Sequence, residues 1–408
     1  MTNIRKALNV TLESPYFDEA YCRASGETKI PEWLTEAFIR RLNDTFHVLP
    51  RTVDKALEAL PHVLAVPELC LFANTLYYIL ATRAKYTQAF TALTLPEAPL
   101  GSAHTVGYDC VALFPVLAHV KHSWDELVLR GVGEEVATDS LRWIDGFFAE
   151  ACEKSGRICF PKEYFSLYGV GIYTDSLIVG RLRFEPVENA ERPVRIFRNE
   201  EGKFLPLMEN TMIHKSGHIL GSYGCEDEAH AYSADFTEND TAYEGYTVDS
   251  ATGLVICERI RLSKNEWTPV FSSGVSALKV HIPFGGGLSP EAVKDSYLRA
   301  KEIYTRCYPQ YRFSCFLLVC WMLSPLLKEI LSPSSNIVSF AKDYTVFPVK
   351  NNALDGFLYV FGMEAKSVSE VDIETLPENN SLQRGMKQKA REGKLVYQFG
   401  GYMPWELL

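Results

Sequence analysis

No stretch of this 408-residue chain offers the roughly 20 consecutive apolar residues that a membrane-spanning helix needs. The longest apolar run, CFLLVCWMLSPLL at residues 315–327, is short and broken by Pro325. The opening segment, MTNIRKALNVTLESPYF, has no uninterrupted apolar core and no small-residue cleavage site, so no signal peptide is expected and the chain reads as cytoplasmic. Ten cysteines occur without a Cys-x-x-Cys pair or a dense framework, and in a long chain without a secretion signal they read as reduced thiols. Basic charge is scarce: 41 Lys and Arg against 51 Asp and Glu leave a net charge of −10. That argues against a nucleic-acid partner, because binding phosphates along a strand takes clustered cations. Internal repeats and low-complexity segments are absent too.

What is present is a change of hydrophobic period along the chain. Residues 31–152 have helical spacing. PEWLTEAFIRRLND puts Leu34, Phe38, Ile39 and Leu42 on one face, and PELCLFANTLYYILATRA at 67–84 repeats the pattern behind Pro67. CVALFPVLAHVKH at 110–122 predicts a helix kinked or broken near Pro115, and GEEVATDSLRWIDGFFAEAC at 133–152 a helix with acidic residues in its first turn. Beyond about 157 the period shortens. YTDSLIVGRLRFEP predicts one half-buried strand with Ile178, Leu182 and Phe184 inward and Arg181, Arg183 and Glu185 outward. The polar stretch 190–267 suits hairpins, followed by a strand at 275–283, a helix at 290–307 and a strand at 312–322. A helix over SLQRGMKQKAREGK and a final strand in LVYQFGGYM close the chain. The expected organisation is α+β: a helical N-terminal domain at 1–157, then a mixed α/β domain at 158–408 with a central, mostly antiparallel sheet.

The densest feature is VHIPFGGGLSPEAV at 280–293, with Gly285, Gly286 and Gly287 between the predicted strand and helix. Glycine is costly in regular structure, so three in succession point to a special turn or a close approach to a ligand. Ser289 is a good N-cap, Pro290 a good first helical residue, and Glu291 suits the helix dipole. Val293, Tyr297, Ala300, Tyr304 and Cys307 then step as a packed face. Free amides at such a strand-to-helix turn suit a phosphate or pyrophosphate, while a tight connection alone would also explain the glycines. The loop is not a Walker loop, since no Gly-Lys-Ser/Thr follows, and it is not G-x-G-x-x-G.

HIPFGGGLSPEAV, SPSSNIVSFAKDY and LPENNSLQRGM, with RGVGEEVATDSLRWID and GRLRFE, resemble segments of a bacterial acyltransferase-domain family. In that family a helical half precedes a GNAT-like (GCN5-related N-acetyltransferase) domain. The resemblance implies a transferase that moves an acyl group from acyl-CoA or acetyl-CoA to a small-molecule amine, with no metal. It further implies that the strand ending in Val280 and Ile282 offers backbone amides to the pantetheine and thioester. The loop Gly285, Gly286, Gly287, Leu288 and Ser289 would hold the pyrophosphate, and the strand at 312–322 would splay away to make room. The chain departs from the pattern twice. No basic residue precedes the glycines in IPFGGG, and Val319-Cys320-Trp321 stands where the family carries a His-Ser-Trp-like stretch.

Acyl transfer to an amine needs a base for the ammonium proton, donors for the thioester oxygen and an acid for the leaving thiolate. His281, beside the glycine loop, is a candidate base, or else a brace for the turn. Glu185 is a second candidate base, or a partner of Arg183 or Arg181. Tyr344 is a candidate acid on the resemblance. Two competing readings remain: an acyl-CoA-binding protein without catalysis, and a thiol mechanism through Cys320 with His281. His214, His218, Cys225 and His230 lack the compact spacing of a zinc site and read as a polar loop.

Overall fold

A computed structural model describes residues 4–84, 86–166, 175–283, 285–363 and 365–407. The chain forms two compact units, Met1–Val179 and Gly180–Leu408.

The first unit is helical. Its longer helices are Phe17–Gly26 (α1), Glu36–Phe46 (α2), Val53–Leu64 (α3), Pro67–Leu80 (α4), Leu113–Leu129 (α5) and Glu134–Ser155 (α6). Pro67 takes the first helical position of α4, where its missing N–H is no loss. The break expected near Pro115 is present: one helix ends at Cys110 and α5 begins at Leu113. Pro115 falls in the first turn of α5, where the amide it lacks would have had no intrahelical acceptor. The buried sides of these helices meet in one apolar core that includes Ile39, Leu42, Leu69, Phe72, Leu76, Phe114, Leu117, Ile144 and Phe148. Among the described residues no single helix is long and apolar enough to cross a membrane.

The second unit is built on two sheets. Its main elements are Leu182–Ala190 (β1), Val194–Asn199 (β2), Phe204–Met208 (β3), Ala242–Val248 (β4), Val255–Ser263 (β5), Trp267–Phe271 (β6), Val275–His281 (β7), Pro290–Cys307 (α7), Cys315–Cys320 (β8), Thr345–Pro348 (β9), Ser381–Arg391 (α8) and Phe399–Pro404 (β10). One sheet has the order β9-β10-β8-β7-β1, antiparallel except for the parallel neighbours β7 and β8. The other has the order β5-β4-β3-β2-β6. Alternation along the strands gives the first sheet two covered faces. Ala277, Cys315, Leu317 and Tyr402 pack with Val194, Ile196, Met208 and Phe271 from the second sheet. On the opposite face Phe184 and Phe316 meet Tyr297 of α7, whose Tyr304 hydroxyl donates to the Phe184 carbonyl at 2.9 Å.

The single strand expected across YTDSLIVGRLRFEP (173–186), of which 173 and 174 lie outside the described residues, is interrupted. The chain turns at Gly180, whose φ is +60°, and a Cβ there would come within 2.7 Å of Ser296 Oγ on α7. Ser296 is fully buried and accepts from the Arg181 amide at 2.7 Å. Arg183, expected outward, is buried, because both faces of this sheet are covered.

Candidate active site at the split between parallel strands

The parallel ladder of β7 and β8 runs from Ala277 opposite Cys315 to Lys279 opposite Leu317, and there it stops. Both strands continue, however. β7 stays paired with β1 as far as His281 opposite Arg183, and β8 with β10 as far as Cys320 opposite Phe399. The two strands therefore part at their C-terminal ends, and no ladder pair between them follows Lys279 opposite Leu317.

His281 and Glu185 meet at this opening. The register sets Glu185 directly opposite Lys279, so His281, two residues further on, shares their face. His281 Nε2 lies 2.8 Å from Glu185 Oε2, and Lys279 Nζ is 3.7 Å from the same oxygen. A carboxylate can only accept, so Nε2 carries the proton and Nδ1 keeps its lone pair. The hydrogen bond from His281, reinforced by Lys279 and Arg183, holds the Glu185 carboxyl down at about 2. Burial pushes His281 below its ordinary 6.5, and the Lys279 and Arg183 cations add to this while Glu185 opposes it. The result is a neutral imidazole backed by an ionised carboxylate.

Past His281 the chain passes through Ile282 into the glycines. Gly285 and Gly286 adopt φ of +81° and +70°, left-handed conformations that favour glycine. Leu288 is buried and anchors the loop, and the Ser289 hydroxyl caps α7 by accepting from the Ala292 amide at 3.3 Å. Among the described residues the amides of Gly285, Gly286, Gly287, Leu288, Ser289 and Glu291 have no protein acceptor. A cation stands beside them that sequence reasoning missed. Arg181 donates from Nε to the Gly287 carbonyl at 2.9 Å and from Nη2 to the Gly286 carbonyl at 3.2 Å. It serves the loop from the start of β1, which explains how IPFGGG can lack a basic residue of its own.

Tyr344 is not beside His281. It lies on the α7 side of the sheet, where a Cβ on Gly401 would strike its ring, and its hydroxyl pairs with that of Tyr297. Burial raises its phenol well above the ordinary range and keeps it protonated. Cys320 also faces away from His281. Leu317 shares the face of Lys279 and His281, so Cys320, an odd step along the strand, points to the other one. Its sulfur accepts from the Met322 amide at 3.4 Å, and burial pushes the thiol up to about 12. His214 instead bonds Ser216 at 2.8 Å, His230 bonds Asp227 at 2.6 Å, and His218 packs on Tyr397. Among the described residues no three such groups converge to hold a metal ion.

The family described as GNAT-like C-terminal domain matches residues 177–403. Among solved structures the chain is similar to an acyltransferase in complex with CoA and 10C-teicoplanin, at 17% identity, TM-score 0.60 and 98% coverage of each chain. It is likewise similar to an acyltransferase mutant in complex with octanoyl-CoA, at 16% identity, TM-score 0.60 and 98% of each chain. An acyltransferase in complex with decanoyl-CoA gives 16% identity, TM-score 0.59 and the same coverage. At these identities the likeness is one of fold. No curated protein matches.

Proposed function

Because the chain belongs to the family of GNAT-like C-terminal domains, we propose that it transfers an acyl group from a CoA thioester to an amine. The observation that carries this reading is the parting of β7 and β8 beyond Lys279 and Leu317, with His281 at the opening and the glycine loop at its end. Acyltransferases of similar fold have been solved with CoA, octanoyl-CoA and decanoyl-CoA, and one also with 10C-teicoplanin. The ten free thiols are consistent with a cytoplasmic setting.

The residues divide the work as follows. Amides of Gly285–Ser289 at the start of α7 hold the pyrophosphate, and Arg181 adds its charge. The edge of β7 at Val280 and Ile282 pairs with the pantetheine and donates to the thioester oxygen as it gains charge. His281 Nδ1 takes the proton from the amine as the new N–C bond forms. Glu185, through Nε2–H, orients the imidazole and stabilises the imidazolium. When the C–S bond breaks, the CoA thiolate takes a proton from Tyr344.

Incubating the protein with acetyl-, octanoyl- and decanoyl-CoA and a panel of amines, with thiol release and product mass as readouts, tests the reading. Acylated amine formed in step with free CoA is expected. CoA binding with no turnover of any thioester would instead assign the fold to a non-catalytic acyl-CoA-binding protein.

A further inference from the structure

The end of the sheet at which β7 and β8 part also holds a cavity of about 440 Å³. Phe399, the first residue of β10, pairs with both Cys320 and Pro348, so the flanking residues Gln398 and Lys350 belong to this same end. The walls are tied together. The Tyr223 amide donates to the Asn351 carbonyl at 3.0 Å, the Asn351 amide to Ser222 Oγ at 3.3 Å, and the Tyr397 hydroxyl to the Tyr223 carbonyl at 2.9 Å. Ala353 is held at φ +60°, a strained backbone for a residue with a Cβ, while its amide donates to Asn351 Oδ1 at 3.0 Å.

The charges in this cavity sit apart. Gly221 makes room for Lys350, for a Cβ at 221 would lie 2.8 Å from Lys350 Nζ and 2.9 Å from its Cε. Among the described residues no carboxylate pairs with that ammonium. Asp355 is half-buried and accepts from Gln398 Nε2. Burial raises its carboxyl, against the lowering effect of the Gln398 hydrogen bond. Glu226, a second carboxylate of the lining, accepts from the Gly224 amide at 3.0 Å.

We propose that this cavity binds a small molecule carrying both a carboxylate and an ammonium group, an amino acid or short peptide, with Lys350 on the carboxylate and Asp355 and Glu226 facing the ammonium. A cation and carboxylates that line one cavity without an ion pair between them complement the two ends of a zwitterion, and the side-chain amides of the lining suit its polar body. Naming this ligand as the acyl acceptor rests on the proposed acyl transfer; its binding does not.

The test is calorimetric titration of the full chain with L-glutamine, L-lysine and L-phenylalanine, each also as the amide and as the N-acetyl derivative. At least one free amino acid should bind, its two blocked forms should bind about tenfold more weakly or not at all, and Lys350→Met and Asp355→Asn should each weaken it about tenfold. CoA affinity should stay unchanged in both variants. Equal binding of blocked and free forms, indifference to both substitutions, or no binding of any free amino acid by the folded wild type would overturn the proposal. So would loss of CoA affinity in Lys350→Met, which would give the cavity to the co-substrate. CoA titrated into the same samples separates the two readings: CoA binding without amino-acid binding leaves acyl transfer standing and removes this inference alone.

Discussion

His281 Nε2 and Glu185 Oε2 lie 2.8 Å apart at the end of a strand whose parallel neighbour has already turned away. In the proposed mechanism the neutral imidazole is the base; burial with two cations disfavours its protonated form, so the acidic limb of kcat/KM should lie below pH 6.5. Glu185→Gln removes the anion that opposes this shift. The limb should move further to acid, and the rate at neutral pH should fall about 100-fold. Lys279→Met should move the limb upward. A pH–rate profile of the three proteins checks all of this, and identical profiles would reduce the pair to a brace.

The same pair makes a claim about stability. Glu185 has its carboxyl lowered from 4.5 to about 2 on folding, so its contribution is present above pH 4.5 and is lost as pH falls towards 2. Melting curves of Glu185→Gln should decline less steeply than wild type across that window.

Arg181 should matter to CoA and little to the chemical step. Arg181→Met removes a charge and two hydrogen bonds to the loop carbonyls, and should weaken CoA binding about tenfold with a smaller change in kcat. Lysine at this position restores the charge but cannot reproduce the fork of donors, so recovery should be partial.

These residues differ in how far the sequence disclosed them. α7 was legible at both ends, since Ser289 and Pro290 mark its start and Val293, Tyr297, Ala300, Tyr304 and Cys307, all buried, mark its face. The glycine turn was legible for the same local reason. Arg181 was not, because an unbroken alternation across 173–186 hides the turn at Gly180 that sends it back over the loop. Arg183 appeared outward because period alone cannot say that both faces of a sheet are covered. The meeting of His281 with Glu185 depends on a ladder between strands nearly 100 residues apart, which no local pattern encodes.

Tyr344→Phe should lower kcat while leaving the KM for acyl-CoA nearly unchanged, if its proton goes to the leaving thiolate. The substitution also leaves the buried Tyr297 hydroxyl without its partner, at a cost of about 1–3 kcal/mol. Tyr297→Phe supplies the control, as it disturbs the same pair but keeps the acid.

Cys320→Ala should retain wild-type turnover. Its thiol is pushed up to about 12 by burial and faces away from His281, so it is neither ionised nor within reach of a base at that residue. Iodoacetamide should leave activity intact in the folded protein. Loss of turnover in the folded Cys320→Ala protein would revive a thiol mechanism.

The most direct measurement is calorimetric binding of CoA and acetyl-CoA to the wild type and to Gly286→Glu. Gly286 holds φ +70° with Arg181 Nε 3.4 Å from where a Cβ would stand. A glutamate there would strain the turn, compete for the Arg181 cation and repel a pyrophosphate. Binding by the wild type that is lost in the variant is the predicted result. A folded wild type that binds neither compound would make the three glycines a connection between β7 and α7, and would contradict the reading of this site as the seat of acyl-CoA.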